Sequence, residues 1–117
     1  RCLECLSTGR FMKRLFISFF TLLLTINTGS AKSGDKAAGE PRYGVHCFIC
    51  HGQKGKGMAS YPKLAGKPVP YLIEKLEAYR AGTRIGPNSD LMIMNAEPLT
   101  DDEIANLAAY LSSVKSN

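Results

Sequence analysis

Five consecutive residues, Cys47-Phe48-Ile49-Cys50-His51, concentrate the reactive side chains of this sequence. Two thiols separated by two residues and followed at once by an imidazole are the pattern for covalent attachment of a haem. The reason is geometric. On one helical turn both sulfurs reach the two vinyl groups of a single porphyrin, while the next side chain turns its imidazole toward the iron. Thioether bonds then keep the group from dissociating. Two other chemistries use similar residues. Cys2-Leu3-Glu4-Cys5 would supply a second thiol pair for tetrahedral zinc, but it precedes Met12 and an apolar run separates it from Cys47. A thioredoxin-like dithiol needs a βαβ setting, and no stretch here alternates like a strand.

The attachment chemistry takes place outside the cytoplasm, and the sequence carries a leader to match. Met12-Lys13-Arg14 precedes the apolar run from Leu15 to Ile26, and Gly29-Ser30-Ala31 supplies small residues before a cut. This is the layout of a secretory signal peptide over residues 12–31, cleaved after Ala31. The apolar run is short for a membrane span, although an uncleaved leader would tether the protein. The chain starts at Arg1, so residues 1–11 are expected to be a non-native upstream segment. Of the +5 formal charge on 117 residues, Arg1, Arg10, Lys13 and Arg14 stand before the cut. What remains is too weakly basic for a nucleic-acid binder.

Beyond the cut, residues 32–38 are small and polar and are expected to form a flexible lead-in to a single domain over 39–117. Glu40-Pro41 can open a short helix running through Tyr43 toward Cys50. The Gly-, Lys- and Pro-rich stretch from Gly52 to Pro70 predicts a long loop. Apolar residues at 72, 73, 76 and 79 share one face of a helix over 71–81 that stops at Gly82. A second loop is expected over 83–99. Thr100 and Glu103 then form a capping box for a final helix ending near Val114, with Ile104, Leu107, Ala108 and Leu111 at helical spacing. The domain is all-α, with three main helices.

A second axial ligand must come from elsewhere in the chain. His46, beside Cys47, cannot easily reach the opposite haem face and is expected to face solvent. Met58 lies close to His51 in sequence and is expected to cover the haem edge from its loop. Met92 and Met94 lie between the two later helices, where a loop can fold over the distal face. Methionine also serves as a filler of irregular apolar gaps.

From Gly39 to Val114 the sequence resembles the bacterial class I c-type cytochromes, in particular single lobes of the periplasmic dihaem carriers. The matching stretches are Gly39…Tyr43…Cys47-Phe-Ile-Cys50-His51-Gly52, Tyr61-Pro62-Lys63-Leu64-Ala65-Gly66, Tyr71…Leu76…Tyr79-Arg80-Ala81-Gly82, Leu91-Met92-Ile93-Met94 and Leu99-Thr100-Asp101…Tyr110-Leu111. The resemblance implies the small class I fold, with long loops around one covalently attached haem c. Cys47 and Cys50 would be the thioether donors and His51 the proximal iron ligand. It also implies that Gly39 and Tyr43 of the first helix cross Tyr110 and Leu111 of the last. Pro62 matches the proline whose carbonyl accepts a hydrogen bond from the proximal imidazole, although it could equally serve to stiffen the loop. In the family the ligand methionine stands seven residues before the leucine that opens the last helix, which selects Met92 from Leu99. Some relatives use the second methionine of the pattern, which here is Met94.

The function implied is periplasmic electron transfer by a His/Met-ligated haem cycling between Fe(II) and Fe(III), not catalysis. Alternatives are a haem subunit of a larger dehydrogenase or oxidase, and a small haem enzyme with an open distal position. Lys54, Lys56, Lys63 and Lys67 follow the haem motif. They are either an ordinary solvated surface or a docking patch that steers acidic redox partners.

Overall fold

The structure, a computed structural model, describes residues 33–116; the expected leader and cleavage point and the Cys2–Cys5 pair lie outside the described residues. Among the described residues five α-helices follow in order: α1 Lys36–His46, α2 Phe48–His51, α3 Val69–Arg80, α4 Ser89–Ala96 and α5 Asp101–Ser113. A 3-10 turn, Gln53–Gly55, lies between α2 and α3. Among the described residues there is no strand, only an isolated bridge between Met58 and Tyr61. None of the described helices is long and apolar enough to cross a membrane. The all-α expectation holds.

Helix α5 organises the domain. Its capping box is complete: Glu103 N–H donates to Thr100 Oγ1 at 3.2 Å, and Thr100 N–H donates to Glu103 Oε2 at 2.9 Å. Two otherwise orphaned donors of the first turn are thus satisfied. Ile104, Leu107, Ala108, Tyr110 and Leu111 are all buried and form the centre of the core with Tyr43 and Leu72. Helix α1 packs against α5 most extensively, then α3. At the α1–α5 crossing the Tyr43 and Tyr110 rings stand 5.6 Å apart and tilted. A Cβ on Gly39 would collide with the Asn106 backbone carbonyl, so only glycine permits this approach.

Two expectations about the elements need correction. The first helix opens at Lys36, not at Glu40-Pro41, and the expected flexible lead-in of residues 32–38 is part of the domain from Gly34 onward. Asp35 is the N-cap: its carboxylate accepts from Ala37 N–H at 2.8 Å, and its own N–H donates to Asn106 Oδ1 at 2.7 Å. That cap and a tertiary tie to α5 outweigh the presence of Pro41 inside the helix, which leaves one exposed carbonyl without an intrahelical partner. The second correction is α4, which occupies the middle of the expected loop over 83–99. It spans 8 residues, too few to show a clear period, and Gly86-Pro87 and Pro98 flank it closely. Helix α3 begins two residues earlier than expected, with Pro70 in its first turn, and stops before Gly82 at φ 81°.

Candidate haem site

The helical path of α1 continues through Cys47 into α2. Cys47 N–H donates to Tyr43 O and His51 N–H to Cys47 O, each at 2.9 Å. The two thiols and the imidazole therefore share one turn. Gly52, at φ 73°, breaks the helix in a conformation that only glycine adopts without strain, and its carbonyl accepts from the Tyr43 hydroxyl at 2.7 Å. The loop then folds back on itself. Gly57 N–H donates to His51 O at 2.8 Å, and the buried Gly55 carbonyl receives both Leu64 and Ala65 N–H, at 2.8 and 2.9 Å.

This return places Pro62 O 2.9 Å from His51 Nδ1. A carbonyl only accepts, so Nδ1 carries the proton and Nε2 presents its lone pair. His51 is 5% exposed, and its Nε2 is buried without a hydrogen-bond partner. A buried polar atom of this kind is costly unless something else completes it. Tyr61 meets the imidazole edge-on, with centroids 6.1 Å apart.

The imidazole opens on an apolar cavity of about 360 Å³ lined by Cys47, Cys50, His51, Pro62, Leu72 and Met92, among others. Cys47 and Cys50 are free thiols. Burial pushes the Cys47 thiol up to about 11, with Arg42 pulling against it and Cys50 adding to it, so this sulfur stays protonated at neutral pH. Two free thiols, an orphaned imidazole nitrogen and apolar walls fit a covalently attached haem.

Of the methionines considered, Met92 is half-buried and lines this cavity. Met94 is 69% exposed and Met58 51%, and neither lines it. His46 is exposed, yet it borders the cavity together with Arg42. Arg42 escaped the sequence reading, although its position one helical turn before His46 puts both on one face of α1. Ser89 also lines the cavity and was missed, because nothing in a Gly-Pro-Asn-Ser stretch marks one serine as buried. The lysines do not gather into one patch. Lys54 and Lys56 border a separate, more open cleft of about 410 Å³ with Glu40, Tyr110 and Lys115, which holds no thiol, imidazole or thioether. Lys67 instead sits over the Tyr71 ring, 5.5 Å from its centroid.

The helices and the cavity define a protein class: a small helical domain closed around a covalently held haem. The family model for cytochrome c matches residues 36–115. The chain is 48% identical over 82 residues to cytochrome c-554(548) of Halomonas halodenitrificans, covering 69% of this chain and 98% of that protein. It is 38% identical over 104 residues to cytochrome c4 of Azotobacter vinelandii, covering 81% of this chain and 49% of that protein. Among solved structures it is similar to cytochrome c4 of Acidithiobacillus ferrooxidans, with a TM-score of 0.54 and 29% identity, covering 68% of this chain and 51% of the other. The chain belongs to the cytochrome c family. It is an electron-transfer haem protein with covalently bound haem c, not an enzyme.

Proposed function

We propose that this chain is a periplasmic one-electron carrier whose haem is attached through Cys47 and Cys50 and ligated by His51 and Met92. The observation that carries the proposal is the shared cavity: the free lone pair of His51 Nε2 and the half-buried Met92 belong to one apolar enclosure, and Met94 does not. When bound, the haem supplies an Fe(II)/Fe(III) couple, with a thioether ligand giving a higher potential than a second histidine. The remaining work falls to the chain. Pro62 O fixes the imidazole through Nδ1 and makes Nε2 a stronger donor. Leu72 and its apolar neighbours keep water away. Met92 would hold the iron from the cavity wall and so leave no open position for a substrate.

Of the lysines after the haem motif, Lys67 is the one that supports an acidic redox partner docking at this cavity. Lys67 and Lys75 both stand over Tyr71, which lines the cavity, so positive charge reaches its rim. One similar protein, from Stutzerimonas stutzeri, is named a thiosulfate dehydrogenase electron acceptor; a dehydrogenase is the kind of donor this chain would serve. Charge reversal at Lys67 and Lys75 should slow association with such a partner at low salt. The leader over residues 12–31 supports export to the periplasm.

The decisive experiment is the visible spectrum of the holoprotein with and without carbon monoxide. The wild type should show sharp reduced bands that carbon monoxide leaves unchanged. Met92→Leu should lose the sulfur-to-iron charge-transfer band and bind carbon monoxide, whereas Met94→Leu should do neither. The reverse result would transfer the ligand role to Met94.

A further inference from the structure

The cavity wall beside Cys47 is charged. Arg42 lines the cavity from α1, five residues ahead of Cys47, with its side chain 25% exposed. Its buried Nε lies 2.9 Å from Glu103 Oε1, but the N–H is not directed at that oxygen, so charge attraction and not a hydrogen bond joins them. The other carboxylate oxygen, Oε2, is held by Thr100 N–H in the capping box. Glu103 is therefore fixed by the start of α5, and Arg42 is drawn to a fixed point. The two charges are not equivalent with respect to the cavity, because Arg42 lines it and Glu103 does not.

Oxidation of a bound haem adds one positive charge to this enclosure. A cation on the wall resists that step and a carboxylate assists it. Salt screens a partly buried pair weakly.

We propose that Arg42 and Glu103 set the potential of the haem, with Arg42 as the wall cation that favours the reduced state and Glu103 as the residue that positions it and partly offsets its charge. The inference rests on the reading of this cavity as the haem site of a carrier.

The test is a redox titration of purified holoproteins at one fixed pH and low salt. Arg42→Gln should lower the midpoint, with the equilibrium for oxidation moving on the order of tenfold, about 59 mV for one electron. Glu103→Gln should raise it, because glutamine retains the capping-box geometry and removes only the charge. Arg42→Lys should restore most of the loss, and the double variant should fall between the two singles. If Arg42→Gln does not load haem, Glu103→Gln alone decides by the sign of its shift. Unchanged potentials in loaded variants would overturn the proposal, and so would shifts of both single variants in one direction, the mark of altered solvent access. A wild-type protein without covalent haem would instead overturn the underlying reading of the cavity.

Discussion

The loop from Gly52 to Lys67 and the segment from Thr83 to Pro98 approach the same cavity, and they are built differently. The first is held by backbone. Gly52, Gly55, Gly57 and Gly66 all take positive φ, the Gly55 carbonyl receives two N–H groups from later in the loop, and the carbonyls of Gly52 and Pro62 receive donors from Tyr43 and His51 outside it. In the second, the turn that leads into α4 is held by one side chain. Ser89 Oγ accepts from Ile85 and Gly86 N–H at 2.8 and 2.7 Å and donates to Gly86 O at 2.6 Å. The Arg84–Asp90 ion pair of this segment is exposed, and such pairs contribute little. Backbone bonds shape the wall beside His51, and a serine-centred turn leads into the helix that carries Met92 to the other wall.

Substitutions can break or sharpen this contrast. The largest effect should follow the loss of a thiol: Cys50→Ala should abolish retention of haem by both thioethers, visible as weakened haem staining after denaturing electrophoresis, while Met92→Leu should keep the stain. Next come the glycines. In the proximal loop, Gly55→Ala forces a Cβ into positive φ at 2.7 Å from Leu111 Cδ2, at a cost of about 2–3 kcal/mol in denaturant unfolding. Gly86→Ala in the distal segment meets open space and should stay within about 0.5 kcal/mol of wild type. An equal loss at both positions would erase the distinction.

Ser89→Ala strands two backbone donors and should cost about 1–3 kcal/mol. Its increased amide exchange should be confined to residues 83–98. The smallest effect belongs to the joint that both walls share. The Thr100 backbone N–H, with help from Arg42, holds Glu103 below its ordinary value of 4.5. The carboxylate therefore contributes stability that is present above that value and lost as pH falls through the lower, folded one. Glu103→Gln should flatten this acid limb of an unfolding titration.

What could be read in advance follows the same division. The attachment motif and the α5 capping box are local patterns, and each was legible in sequence because neighbouring residues complete it. The turn-back that brings Pro62 to His51 needed the family resemblance, since no local rule pairs residues eleven apart. Helix α4 was illegible for a physical reason: Met92 and Ala96 line the cavity while the equally apolar Met94 is exposed, so its apolar residues do not fall on one face. The start of α1 was missed because Asp35 is secured by Asn106, 71 residues away. Arg42 was hidden likewise, its partner being on another helix.

The bond between Asp35 and Asn106 also has an architectural consequence. The backbone enters the domain against the middle of α5 and leaves it at Val114, about 12 Å further along the same helix. Entry and exit thus sit on one short rod. A domain with that layout can be strung in series like a bead, and proteins about twice the length of this match, such as cytochrome c4, have room for a second one.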